Sequence, residues 1–221
     1  ELLEAIAGLQ QTDPHSSVVY YPDDDRDSTA EQLISKSPKD IRDMGVHLSF
    51  VPEDRLGMGL VGSMGMIDNM MLKSYGQGHS PIADRRAPRH LAEEIKDSLG
   101  VVTPSVTTPV SRLSGGNVQK VLVGREIAAS PSVLMTAYAV RGLDINTSYT
   151  IYHLLNEQKK KGVAIIYVGE DLDVLIDLCD RVLVLCSGKN NGIVEGRKTN
   201  KEEIGLMMTK LREPQEKGGV A

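Results

Sequence analysis

The stretch Leu113-Ser114-Gly115-Gly116-Asn117-Val118-Gln119-Lys120 sets a serine and two glycines directly ahead of an apolar run, Val118, Val121, Leu122, Val123 and Ile127. Two glycines let the backbone pass close to a ligand, and a serine can cap the helix that follows. Exposed amides at a helix N-terminus, with the helix dipole behind them, suit a phosphate. Taken alone, such a turn is an ordinary capped helix start. Its downstream context sets it apart: a buried-strand pattern at Val133–Ala137, then Arg141-Gly142-Leu143-Asp144, then a second apolar strand at Ala164–Val168. A further polar turn, Pro52-Glu53-Asp54-Arg55, ends the alternating strand Val46–Val51, and α/β folds place ligand contacts at such strand ends. Asp23-Asp24-Asp25 has the charge to bind a cation, but a charge run of this kind reads first as a solvated loop.

The elements that position these residues follow from periodicity. Glu1–Leu9 has helical spacing and a stop at Gly8, and no cap precedes it. The sequence thus reads as cut inside a domain. Ser17–Tyr21 can form a strand. Ser37-Pro38 starts a short helix that Gly45 ends. Residues 56–79 are rich in glycine and methionine, which suits adaptable core filling and also a surface that grips a partner. An amphipathic helix spans Pro88–Leu99, with Arg85, Arg86, Arg89 and His90 forming a solvated face at its start. Helices are expected over 118–129, 145–160 and 171–178, and strands over 133–137, 164–168 and 181–186. A turn at Gly188–Gly192 leads to a short strand at Ile193–Glu195, and the tail after Leu211 is polar. Apolar strands alternating with helices predict a parallel sheet covered on both faces.

Composition narrows the function classes. The 221 residues carry 25 basic and 30 acidic side chains, a mildly acidic balance that does not suggest a nucleic-acid surface. No apolar run reaches transmembrane length and no secretory signal is present, so any membrane connection runs through a protein partner. Cys179 and Cys186 lie in an apolar segment without Cys-x-x-Cys spacing and read as buried thiols in a reducing compartment. With no Trp and one Phe, the core rests on aliphatics, methionines and a few tyrosines.

Taken together, Val51–Arg55, Leu113–Lys120, Arg125-Glu126-Ile127, Arg141–Asp144 and Asp180-Arg181-Val182 resemble the ATP-binding domain of an ATP-binding cassette (ABC) transporter. More narrowly they resemble the second, degenerate cassette of the double-cassette ATPases of simple-sugar and nucleoside importers. The likeness spans residues 1–10 and 37–210. It implies an α/β, P-loop NTPase-like (RecA-like) fold with a mostly parallel sheet and an inserted helical subdomain, lacking the N-terminal Walker A strand and loop. The implied division is a first core part at 1–62, a helical signature subdomain at 63–117, a second core part at 118–210 and a flexible tail at 211–221.

The resemblance assigns Ser114, Gly115, Gly116 and Asn117 to the signature motif, which contacts the ATP bound by the opposite cassette of a head-to-tail dimer. Asn117 stands where the common form has Gln. Asp144 falls on the D-loop and Glu53 on the Q-loop position.

The departures are as specific. No Gly-x-x-x-x-Gly-Lys-Ser/Thr loop exists. Gly57 and Gly62 have the glycine spacing but are followed by Ser63, and Gly188-Lys189 is followed by Asn190, with Leu183 where the first glycine should be. Ala137 and Tyr138 replace the Walker B acids, which would hold Mg²⁺ and polarise the attacking water, Ala139-Val140 replaces Pro-Thr, and Glu170 occupies the switch-histidine position. No residue is expected to bind metal.

The resemblance therefore implies a cassette that serves a partner's ATP and Mg²⁺ and has no intact catalytic set of its own. Its expected partners are an N-terminal cassette of the same polypeptide or a second cassette subunit, together with permease subunits that the segment Pro52–Leu72 would face. No nucleic acid and no direct membrane insertion are expected, which places the protein peripherally on the cytoplasmic face of the plasma membrane. Two other readings stand beside it: a truncated but active P-loop ATPase, and an ABC-type interaction module outside transport.

Overall fold

The computed structural model describes residues 1–22, 30–74 and 84–209. The chain divides into two compact units, Glu1–Val168 and Gly169–Ala221.

In the first unit, α1 (Leu2–Ile6) ends ahead of Gly8, whose φ of +74° suits glycine at a helix stop. β1 (Val19–Tyr20) and β2 (Glu31–Gln32) form a small antiparallel ribbon, shorter than the strand expected over 17–21. Asp23–Asp25 lie outside the described residues. α2 (Pro38–Asp43) begins with a capping box: Ser37 Oγ accepts from the Asp40 amide at 3.2 Å, and the Ser37 amide donates to Asp40 Oδ2 at 3.0 Å.

The sheet of this unit is parallel. β3 (Leu48–Val51), β4 (Val133–Ala137) and β5 (Ala164–Val168) lie in that order, with Leu48 opposite Val133 and Val133 opposite Ala164. Alternation sends Leu48, Phe50 and Met135 to the face covered by Leu3, Ile6 and Ala7 of α1. Ser49 points the other way and donates to the Glu126 carbonyl of α5 (Gly115–Ala128) at 2.8 Å. Two-sided coverage holds for β4, where Leu134, Met135 and Thr136 are fully buried, but not for β5, where Ile166 is 36% exposed. Among the described residues β3 and β5 are the two edges of this sheet, and the side chains of β5 remain half open or exposed where Ser49 and Val51 of β3 are buried.

α5 starts three residues earlier than its apolar run suggested, because Ser114 supplies the cap and Gly115 and Gly116 enter the first turn. Val121, Leu122 and Val123 are all buried, as befits a helix packed on several sides. Gly124 admits α4 (Arg86–Ser98): a Cβ there would meet Ile95 Cγ2 at 2.8 Å. α4 begins two residues before Pro88, and beside its start Arg85 pairs with Asp68. Between β3 and α4 lie a single wide helical turn, Arg55–Gly59, and α3 (Met66–Met71). The methionines divide: Met66 and Met70 are core, whereas Met58 and Met64 are exposed. Residues 75–79 of that run lie outside the described residues. α6 (Ile145–Lys160) has the bounds expected and ends on Lys159 and Lys160, which complement its dipole.

The second unit holds α7 (Leu172–Leu178), the antiparallel hairpin β6 (Arg181–Cys186) and β7 (Lys189–Glu195), and α8 (Lys201–Thr209). Val182, Val184 and Ile204 form its core. The turn expected at 188–192 is tighter. Ser187 and Gly188, with φ of 48° and 73°, close a two-residue hairpin, so residues 189–192 already belong to β7. Cys179 and Cys186 form no disulfide and are half-buried rather than buried, one at the end of α7 and the other beside the hairpin turn. The tail beyond Thr209 lies outside the described residues, and among those described no helix is long and apolar enough to cross a membrane.

Candidate functional site

The first unit brings three loops together: Ser114–Asn117 at the head of α5, Glu53–Arg55 after β3, and Tyr138–Asp144 between β4 and α6. Strands β3 and β4 are parallel neighbours, so their following turns emerge at the same sheet end.

At the first loop, Ser114 Oγ accepts from the Asn117 amide at 3.5 Å and from Asn117 Nδ2 at 2.9 Å. With both acceptor positions engaged, the hydroxyl proton is the group Ser114 has left to offer. The Gly115 and Gly116 amides belong to the first helical turn, where no carbonyl within the helix can receive them. Ser114 and Gly115 are exposed. The result is a donor-rich, solvent-facing helix N-terminus suited to a phosphate oxygen. Asn117 has a structural share as well, since its Oδ1 accepts from the Val102 amide at 3.0 Å and ties the connector to the turn.

Asp144 caps α6. Its carboxylate accepts from the Thr147 amide at 3.0 Å and from the Thr147 hydroxyl at 2.7 Å, and these bonds hold it below the usual carboxylate range. A Cβ on Gly116 would lie 3.3 Å from Thr147 Oγ1 and 3.7 Å from Asp144 Oδ2. Thus the two helix starts touch through a glycine.

At the end of β4 the groups needed for metal and water chemistry are absent. Ala137 offers a methyl. Tyr138 adopts φ of +51° while its amide donates to the Val168 carbonyl at 2.8 Å, and its ring lies 5.6 Å from the Arg141 guanidinium carbon. Of the carboxylates on the second loop, Glu53 accepts from Arg141 Nη1 at 2.5 Å, and Asp54 caps the following turn by accepting from the Leu56 and Gly57 amides. With no acid on the strand end and Glu53 already paired, these residues do not fit a Mg²⁺ ion. Among the described residues no cluster of three His, Cys, Asp or Glu side chains gathers to hold a metal. Glu170 lies in the second unit, exposed, immediately before the α7 cap Asp171.

Sequence reasoning placed Arg55 in a strand-end turn suited to ligand contacts but gave it no role of its own. Its Nη2 donates to the Arg141 carbonyl at 2.5 Å, and a Cβ on Gly115 would lie 3.3 Å from its Nη1. It also missed a buried ionic cluster. Glu126, fully buried, accepts from Arg125 Nε and Nη2 at 3.0 and 2.8 Å, from Lys73 Nζ at 2.8 Å and from the Phe50 amide at 3.3 Å. The signal in the sequence was an Arg-Glu pair inside the apolar second half of the helix. Lys73, Phe50, Pro52, Met58 and Leu9 line a cavity of about 290 Å³ above this cluster.

A parallel sheet with a glycine turn opening a buried helix, and polar turns at the strand ends, is the fold of an ATP-binding cassette. It matches the dimeric ATP-binding cassette MJ0796, solved in a post-hydrolysis state bound to ADP and Pi, with a TM-score of 0.71 and 18% identity over 90% of this chain and 80% of that one. In sequence, the chain is related to the ABC ATP-binding proteins of sugar and nucleoside importers. The xylose import ATP-binding protein XylG of Moorella thermoacetica is 36% identical over 169 residues, 76% of this chain and 33% of that protein. The guanosine import ATP-binding protein NupO of Bacillus subtilis is 29% identical over 214 residues, 94% of this chain and 39% of that protein. The chain thus spans between a third and two fifths of the length of these relatives. No family model matches it.

Proposed function

We propose that this chain is a degenerate ATP-binding cassette of a simple-sugar or nucleoside importer, one that completes a partner cassette's ATP site instead of running its own. The observation that carries the reading is the contrast between the turn that opens α5 and the end of β4. Ser114 presents a free hydroxyl proton beside the Gly115 and Gly116 amides, while the Ala137-Tyr138 end of β4 bears no acid. The first can bind phosphate; the second can neither hold Mg²⁺ nor polarise water.

ATP and Mg²⁺, held mainly by the partner cassette, supply the phosphoryl group and the metal charge. This chain's Ser114, Gly115 and Gly116 donate to the phosphate from across the dimer, Asn117 fixes the turn, and Asp144 lies at the seam. The partner is an N-terminal cassette of the same polypeptide or a second cassette subunit. A core in two parts, 1–62 and 118–210, would carry a helical subdomain at 63–117 that presents the turn. Exposed Leu56, Met58, Val61, Met64 and Leu72 support a permease-facing role for Pro52–Leu72. Such a protein sits peripherally on the cytoplasmic face of the plasma membrane through its permease.

The test is Ser114→Arg in the full-length protein, which should abolish ATP turnover. Unchanged turnover would sink the trans-site reading.

A further inference from the structure

The charge at the head of α5 is arranged against stability. A helix N-terminus carries about half a positive charge, so cations belong at the other end. Yet the Arg55 guanidinium stands beside Gly115, close enough that a Cβ on that glycine would lie 3.3 Å from Nη1. Among the described residues no carboxylate pairs with Arg55; its bond is Nη2 to the Arg141 carbonyl at 2.5 Å. Burial disfavours its charged form and pulls its pKa below the ordinary arginine value, although a guanidinium stays charged. A half-buried cation at the positive end of a 14-residue helix, without a counter-ion, raises the energy of the empty protein.

A second orphan sits on the same helix face. Gln119 is fully buried, and neither its amide oxygen nor its amide nitrogen has a partner. Helical side chains lean toward the preceding turn, and Gln119 lies three and four residues beyond Gly116 and Gly115. Its carboxamide therefore leans toward the glycine turn, buried and without a hydrogen-bond partner. Buried amides without partners are rare, and each calls for a cause. An uncompensated cation and an amide nitrogen with no acceptor, both at one helix head, are each stabilised by an anion bound there.

We propose that Arg55 is an anion-binding residue of this site: its guanidinium, aimed by the Arg141 carbonyl, supplies the positive charge that the neutral Ser-Gly-Gly turn lacks for a polyphosphate held by the partner cassette. The Glu53–Arg141 ion pair fixes the carbonyl that aims it. Three carboxylates near the site oppose the anion, and each is engaged: Asp144 by the Thr147 amide and hydroxyl, Glu53 by Arg141, and Asp54 by the Leu56 and Gly57 amides. The inference rests on the trans-site reading above.

The experiment measures ATP turnover and thermal unfolding of the full-length protein as wild type, Ser114→Arg, Arg55→Met and Arg55→Lys. Turnover should vanish in Ser114→Arg and fall about tenfold or more in Arg55→Met, the scale of a lost charged hydrogen bond. Arg55→Lys should recover most of it. Arg55→Met should unfold at the same temperature as wild type or higher, because the cation costs stability. A lower unfolding temperature in Arg55→Met, or a lysine variant as inactive as the methionine one, would mark Arg55 as a strut and overturn the proposal. Wild-type turnover in Arg55→Met with an inactive Ser114→Arg overturns the Arg55 role alone. Turnover retained in Ser114→Arg removes the trans-site reading and this inference with it.

Discussion

Arg141 reaches across the ends of two adjacent parallel strands to donate to Glu53 at 2.5 Å, and it packs on the ring of Tyr138. In the function proposed above, the pair occupies the strand end where a working phosphoryl-transfer site would gather acid, metal and water. Restoring one acid does not rebuild that arrangement. Tyr138→Glu in the full-length protein should leave ATP turnover at its wild-type value. A rise of several-fold in a turnover assay would show that the strand end needs only the acid.

Being more than half exposed on both sides, the Glu53–Arg141 pair adds little to stability, on the order of 0–1 kcal/mol. The pair around Glu126 is of another kind. Glu126→Ala should cost about 3–5 kcal/mol by leaving Arg125 charged and unpaired in the interior. Lys73 is 42% exposed, so Lys73→Met should cost far less, about 1 kcal/mol. Equal losses in denaturant unfolding would contradict this ranking.

Gln119→Leu should stabilise the protein by about 1–3 kcal/mol, since it replaces an unpartnered buried amide by an apolar group of similar size. That corresponds to several degrees in Tm, measurable by calorimetry. A fall in Tm would mean that the amide has a partner in solution.

Asp40 and Asp144 make the structure acid-sensitive at two helix starts. The Ser37 hydroxyl and amide lower the first carboxyl, and the Thr147 hydroxyl and amide lower the second. A lowered folded pKa contributes stability that is present above the unfolded value of about 3.9 and lost as pH falls through the folded value. Tm should therefore drop below about pH 4. Asp144→Asn keeps a good cap without the titration, so it should flatten that drop. An unchanged pH profile in the asparagine variant would exclude Asp144 as a contributor.

Gly65→Ala should destabilise by about 1–3 kcal/mol, because the new Cβ would meet the Thr107 backbone at 2.8 Å, and backbone yields less readily than a side-chain tip. Gly100→Ala finds open space but a φ of +58°, so its smaller cost is conformational.

Local pattern determined much of this protein. The bounds of α6 and β5 were legible because hydrophobic period and terminal residues agree there. The Ser37 cap and the Ser-Gly-Gly turn carry their own chemistry in adjacent residues, as does the absence of acids at Ala137-Tyr138. Where a feature depended on partners far along the chain, sequence was silent. The two-residue hairpin turn at Ser187-Gly188 was placed too late, because its register is set by Val182 and Val184 packing on Ile204. Arg55, Arg141 and Glu53 are ordinary polar loop residues until β3 and β4 lie side by side. Glu126 is half of an Arg-Glu pair in a largely apolar helix until Lys73 and the Phe50 amide arrive. Sequence alone determined where the glycine turn, the helix caps and the acid-free strand end fall. Tertiary structure decided which charges meet, because hydrogen bonds and ion pairs act over a few ångströms and only the sheet brings residues 53 and 141 that close.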